Sequence, residues 1–246
     1  MDMSPLTTIG SRLESLALRP TLELACLRGV RVHFISLADC AAREAELLGL
    51  LSPDEAERAL AIRNARRRSA FIASRALLRE ALSAYTSQTV GRSEWQFDTN
   101  AYGKPQVTAP LALNFSLSYT SGVLVIAVSR KFELGVDIEA LPPPASSEIP
   151  WHVLNSVERK HLHTLPVPEQ YLEFLRLWTL KEAYTKYLGM GASLDFRGVD
   201  VSLDPVEASA AAAPIGRLAD PLLHQQVLSL DGQCFVLALA GGRTLY

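Results

Sequence analysis

The period of the hydrophobic pattern changes several times along this chain, and each change marks an element. Residues 29–36 alternate apolar and polar in a β-branched run, the pattern of a strand with one buried face. Ser52-Pro-Asp-Glu55 has the residues of a helix start: a hydroxyl at the N-cap, proline in the first turn and an acid at the third position. That helical material is expected to run to about Ala65. A second helix, over residues 67–84, offers Phe71, Ile72, Leu78 and Leu82 to a core and carries Arg75 and Arg79 one turn apart. Residues 95–98 form a short strand, 100–105 a turn rich in Asn, Gly and Pro, and 113–118, 123–129 and 134–139 three more strands. The first 28 residues are weakly patterned, and the first ten are expected to be loose.

Leu141-Pro-Pro-Pro-Ala-Ser-Ser-Glu-Ile-Pro150 breaks the pattern, because consecutive prolines cannot donate ladder hydrogen bonds. A helix over 153–164 follows, then a long one over 169–188 that Gly189 ends as a C-cap. Residues 208–214 read as a low-complexity loop, and 226–230 with 233–240 form a hairpin around Asp231-Gly232. The expected fold class is therefore α+β, with an N-terminal lobe over 1–140, a linker over 141–150 and a C-terminal lobe over 151–246. Helices precede antiparallel strands in both lobes, although no sequence repeat stands out.

Composition narrows the class without choosing a function. The 246 residues are 48% hydrophobic and 20% charged, with a formal charge of −2, which are the values of an ordinary soluble domain. A pI near 6.2 gives no general footprint for nucleic acid. Basic charge is local: Arg63, Arg66, Arg67 and Arg68 fall within six residues. Cys26, Cys40 and Cys234 are too scattered for a disulfide framework, which fits a reducing cytoplasm. The longest apolar run, 123–128, is far too short to span a bilayer.

Two acidic clusters carry the chemistry. Alternation puts Asp137 and Glu139 on one face of a strand and Val136 and Ile138 on the other. Two carboxylates so placed repel unless a cation sits between them, and they can supply oxygen ligands to Mg²⁺, which takes one or two carboxylates with phosphate and water. On the long helix Trp178, Glu182 and Lys186 share a face at spacings of four. Glu182 is a third ligand if that helix packs over the strand, and Lys186 is then a point charge for phosphate. A solvated edge strand and an exposed Glu–Lys pair are the plainer readings of the same residues. His161 and His163, beside Arg159 and Lys160, read as a polar helix surface rather than as a metal pair.

Gly135-Val-Asp-Ile-Glu139, followed by Trp178-Thr-Leu-Lys-Glu-Ala-Tyr-Thr-Lys186 and Gly189-Met-Gly191, resembles the signature pair of 4'-phosphopantetheinyl transferases of the Sfp type. Phe71-Ile-Ala-Ser-Arg75-Ala-Leu-Leu-Arg79, Tyr102-Gly-Lys104-Pro105 and Phe115-Ser-Leu-Ser118-Tyr119 extend the resemblance, in family order, over roughly residues 60–195. It implies two similar α+β lobes forming an intrachain pseudo-dimer, hence a monomer with its site between them. It implies transfer of the phosphopantetheine arm of coenzyme A to a serine of an apo acyl, peptidyl or aryl carrier protein, with release of adenosine 3',5'-bisphosphate. By the same resemblance Asp137, Glu139 and Glu182 hold Mg²⁺ (Mn²⁺ being the alternative) and Glu182 takes the serine proton. Lys186 lies on the pyrophosphate, and Arg75, Lys104, Ser118 and Tyr119 line the coenzyme A site. The chain departs from the family's Asn-x-Ser-His, having Ser116 and Tyr119; a tyrosine offers one hydrogen bond and no charge to a 3'-phosphate, and Arg67 and Arg68 nearby could compensate. The rivals are a different Mg²⁺-dependent phosphoryl transferase, for which no Walker-type loop exists, and a relative that binds coenzyme A or a carrier without catalysis.

Overall fold

The computed structural model describes residues 7–9, 27–120, 122–141, 148–210 and 221–243. Pro142, Pro143 and Pro144 of the expected linker and residues 211–214 of the expected low-complexity loop lie outside them. Strands β1 (Thr7–Ile9), β2 (Val30–Ser36), β3 (Gln96–Thr99), β4 (Pro105–Ala109), β5 (Asn114–Thr120), β6 (Val123–Ser129) and β7 (Glu133–Ala140) come first, then β8 (Val199–Leu203), β9 (Val206–Ala210), β10 (Leu222–Leu230) and β11 (Gln233–Gly242). Helices are α1 (Leu37–Ala42), α2 (Glu44–Leu48), α3 (Pro53–Ala61), α4 (Ala65–Tyr85), α5 (Ser156–Thr164) and α6 (Val167–Leu188). The mixed helix-and-sheet content bears out the α+β expectation.

Several boundaries moved for local reasons. The helix begun at Ser52 carries the full capping box with Glu55 but stops at Ala61, and Asn64 caps a new helix by accepting from Arg67 N. Residues 208–210, read as loop, belong to β9, whose period-two burial appears only when β8 pairs with it. Thr7–Ile9, expected to be loose, pairs parallel to β10. The tail hairpin is as read: Asp231 (φ 47°) and Gly232 (φ 80°) are both left-handed, as a two-residue turn requires.

Two sheets organise the core. One has the order β2-β6-β5 and the other β1-β10-β11-β7. Val125 and Ala127 of β6, Val136 and Ile138 of β7 and Phe235, Leu237 and Leu239 of β11 share one apolar cluster between the sheets. On the far side of β6, Leu124, Ile126 and Val128 meet Ile72, Leu77 and Leu78 of α4. The run 123–128 is apolar throughout because this strand is covered on both faces. In the second sheet, Val236 of β11 packs with Phe174, Leu175 and Leu177 of α6, and Ala238 with Leu180 and Ala183.

The sheets join at their edges through hydroxyls. Ser116 of β5 accepts from Val136 N (3.0 Å), Ser118 donates to Asp137 (2.7 Å), and Thr120 accepts from Ala140 N (3.4 Å) and donates to Glu139 (3.2 Å). Small polar side chains at every second residue of one edge thus satisfy groups of β7 that no sheet partner covers on that side.

Candidate active site

The site is set by the crossing of α6 over β7. A Cβ on Gly135 would lie 1.8 Å from Ala183 O and 2.4 Å from Tyr187 N, so glycine there is what lets the helix backbone rest on the strand. Asp137 is two residues further along the same strand face, and Glu182 and Lys186 flank Ala183 on the helix. At the helix end Gly189 adopts φ 72°, and its N–H closes on Thr185 O and Lys186 O. Asn100 donates to Gly189 O (2.8 Å) and accepts from Tyr102 N and Lys104 N (2.9 Å each), pinning the 100–105 turn to the end of α6.

Asp137 is 4% exposed. Its Oδ1 accepts from Ser118 Oγ (2.7 Å) and from Lys186 Nζ (2.7 Å), while Oδ2 is buried with no hydrogen-bond partner. Lys186 also donates to Ser118 Oγ and Val136 O, at 3.1 Å each. Glu139 accepts from Thr120 (3.2 Å); burial first and the charge of Asp137 second push its carboxyl above the usual carboxylate range, with the nearby Trp178 side chain opposing the shift. Glu182 is pushed the same way by burial, with Asp137 and Glu139 adding to it and Lys186 opposing it. Three carboxylates and one ammonium therefore sense one another across β7 and α6.

Lys104 is the second cation. Its Nζ donates to Leu134 O (3.1 Å) and lies 3.5 Å from Glu133; burial lowers its pKa and Glu133 opposes the shift. Lys104 and Lys186 line one cavity of about 210 Å³ with Tyr102, Pro105, Phe115 and Gly189. Ser118 serves Asp137 and Lys186. Tyr119 is 58% exposed and lines a different, larger cavity of about 770 Å³ with Asn64, Arg66, Arg67 and Thr120. Arg67, the suggested stand-in for a missing charge, shares that cavity, whereas Arg68 is ion-paired with Glu44 (3.2 Å). Arg75 is set apart: its guanidinium lies over the Phe71 ring (5.7 Å), with Glu55 and Arg58 of α3 as its charged neighbours. His161 bonds Glu173 (2.9 Å) and His163 stacks on Trp151 (4.7 Å), as a polar helix surface would.

Sequence reasoning missed Thr120, the fit of Gly135 under α6 and the Trp178 contact to Glu139. Thr120 had a signal, since Ser116, Ser118 and Thr120 alternate along β5. Among the described residues no group of three His, Cys, Asp or Glu side chains forms a ready metal cage. The donor set nevertheless fits a hard divalent cation: a buried, unpartnered Asp137 oxygen faces acids whose ionisation is disfavoured until positive charge arrives.

Comparison with known proteins decides the family. The model of the 4'-phosphopantetheinyl transferase superfamily matches residues 133–238, which contain both acidic clusters. The 4'-phosphopantetheinyl transferase HetI of Nostoc sp. is 31% identical over 180 residues, covering 71% of this chain and 75% of HetI. The chain belongs to the 4'-phosphopantetheinyl transferase family. AcpT of Salmonella typhimurium is 31% identical over 70% of this chain and 85% of its own. Sfp of Bacillus subtilis is 33% identical over 112 residues, and the match spans about half of each protein, 46% and 49%. No helix among its described residues is long and apolar enough to cross a membrane.

Proposed function

We propose that this transferase moves the 4'-phosphopantetheine arm of coenzyme A onto a serine hydroxyl of an apo acyl or peptidyl carrier protein, at the crossing of β7 and α6. The observation that carries the reading is the Asp137–Lys186 pair at 2.7 Å beside the unpartnered Asp137 oxygen, with Glu139 and Glu182 adjoining. Asp137, Glu139 and Glu182 would hold Mg²⁺ (or Mn²⁺), which when bound supplies charge neutralisation on the pyrophosphate. The serine oxygen attacks the phosphorus that bears the pantetheine. A new O–P bond forms as the bond to adenosine 3',5'-bisphosphate breaks, and the serine proton passes to Glu182. Lys186, with its side chain 28% exposed, neutralises the leaving phosphate.

Lys104, beside Lys186 in the smaller cavity, is read as a nucleotide-phosphate contact, with Ser118 holding the two halves of the site together. Tyr119 sits with Arg66 and Arg67 where the 3'-phosphate or the acidic face of a carrier can dock. Arg75 of α4, its guanidinium over Phe71, is read as a further contact for the coenzyme A nucleotide. The lobes are read as two repeats in one chain that together complete the site, hence a monomer, and the unpaired Cys40 and Cys234 fit a cytoplasmic protein. Intact-protein mass spectrometry of a panel of apo carriers with this protein and coenzyme A, with Mg²⁺ or with EDTA, tests the reading. Gain of one phosphopantetheine on the carrier serine, only with the metal, is expected. No modification of any carrier would refute it.

A further inference from the structure

Lys181, next to Glu182 on α6, is 0% exposed, and its side chain points away from the cleft. Its ammonium makes three contacts: Glu158 Oε1 (2.8 Å), Phe196 O (2.6 Å) and Val199 O (2.7 Å). Burial lowers its pKa, and Glu158 opposes the shift. Glu158 is itself held, because its Oε2 accepts from Asn155 N (2.9 Å) in the capping box of α5. A buried ion pair of this kind contributes little net stability against an apolar replacement, so its presence beside the reaction centre calls for another account.

The segment that Lys181 grips leads back to the site. The Phe196 ring packs against the Trp178 ring, with centroids 4.9 Å apart. The Trp178 indole in turn lies beside Glu139 and favours its ionised form. The path runs from the buried ammonium through a backbone carbonyl and two rings to a carboxylate. Trp178 lies one turn before Lys181, so the same helix turn holds both ends of the loop.

We propose that Lys181 and Glu158 form a positioning pair that sets the Glu139 carboxylate through Phe196 and Trp178. The inference rests on the reading of Glu139 as a cation ligand. A carboxylate bonded by Thr120 and flanked by the Trp178 indole has its orientation restricted, and loosening that hold lowers affinity for whatever cation it ligates. Substitution of such outer partners typically costs about 10- to 100-fold in metal affinity.

The test measures Mn²⁺ binding by electron paramagnetic resonance of the free ion, with coenzyme A present, on the intact chain and its variants. Phe196→Ala removes the ring and leaves its carbonyl on Lys181. Lys181→Gln with Glu158→Gln neutralises the pair together, so neither charge is left buried alone. About tenfold weaker Mn²⁺ binding in both, with thermal unfolding of Phe196→Ala near that of the parent and recovery in Phe196→Tyr, is expected. Parental Mn²⁺ affinity in Phe196→Ala would overturn the relay. Weakened binding in Phe196→Ala with parental binding in a folded double-glutamine variant would overturn the role of the pair. The parent protein is the separate control: if it binds no Mn²⁺ with coenzyme A, the cation-ligand reading itself fails.

Discussion

The two halves of the chain are built alike, and among the described residues one of them carries no comparable acid cluster. In each, a strand is followed by helices, a long helix, a short hairpin and a long hairpin, and the first strand pairs with the last: β2 with β6, β7 with β11. Each long helix buries a cation. Arg79 of α4 holds Glu55 of α3 (2.9 Å) and donates to Arg92 O and Trp95 O (2.9 Å each), just as Lys181 of α6 holds Glu158 of α5 and the carbonyls of Phe196 and Val199. Both acids are the N3 residues of capping boxes. Matching the two-residue turns of the long hairpins sets Gly29-Val-Arg-Val-His33 against Gly135-Val-Asp-Ile-Glu139.

What differs is the pair of functional contacts. Where Asp137 meets Lys186, the first half has Arg31 donating to Ala84 O (3.0 Å), a cation at a helix C-terminus. Where Glu182 faces the cleft, the first half has Glu80, 1% exposed and ion-paired with Arg92. The same scaffold thus uses its polar positions to close a helix end in one half and to gather an acid cluster in the other. The clamp is common to both halves, and in the second the segment it grips packs through Phe196 against Trp178, beside the acids of β7 and α6.

The largest effect that would sharpen this contrast concerns the paired glutamates. Glu182→Gln is expected to lower kcat by about 10²- to 10³-fold with little change in melting temperature. Glu80→Gln should instead lower stability, since it leaves Arg92 without its partner, and keep kcat within about twofold of the parent. Steady-state transfer and thermal unfolding on both variants check this, and a reversed pattern would break the comparison.

The glycines come next. Gly135→Ala should destabilise by about 3 kcal/mol or more in chemical denaturation, because its Cβ would strike the α6 backbone. Gly29→Ala meets only Lys131 Cδ at 4.0 Å and suffers the cost of φ +95° alone, about 1–2 kcal/mol.

A smaller effect is linked to pH. Because Glu139 has a raised folded-state pKa, the folded form without bound cation holds its proton above the pH at which the unfolded form loses it. Stability without the cation is then greatest below the usual carboxylate range and falls as pH rises through the raised value. Glu139→Gln removes that penalty, so with EDTA present at pH 7 its melting temperature should exceed the parent's, and the difference should vanish on acidification.

The smallest concerns Tyr119→His, which restores the family's residue beside Arg66 and Arg67. It is expected to tighten coenzyme A relative to 3'-dephospho-coenzyme A by up to about tenfold, read by calorimetry below pH 6, where an ordinary histidine is charged.

The legible part of the molecule was the part where local pattern and chemistry coincide. Strand β6, the capping box at Ser52 and the Gly189 stop all followed from residues within a few positions of each other. Alternation on the strand and four-residue spacing on the helix put Asp137 with Glu139 and Glu182 with Lys186 on single faces, but only packing of α6 over β7 brings the two pairs together. Strands β8 and β9 were not, since neither is apolar enough to be seen before the other pairs with it. For Arg75, helical periodicity gives a face and not the identity of what that face meets; the guanidinium meets Phe71 and the charges of α3. The internal repeat stayed hidden because the acids of one copy stand opposite arginine and histidine in the other, and only strand register aligns them.

The most direct measurement is a single-turnover transfer to an apo carrier protein by the parent and by Asp137→Asn, at saturating coenzyme A and Mg²⁺, with coenzyme A binding measured on both. The account predicts that the variant binds coenzyme A and transfers about 10²- to 10³-fold more slowly. Transfer by Asp137→Asn at the parental rate would contradict the placement of the reaction at the crossing of β7 and α6.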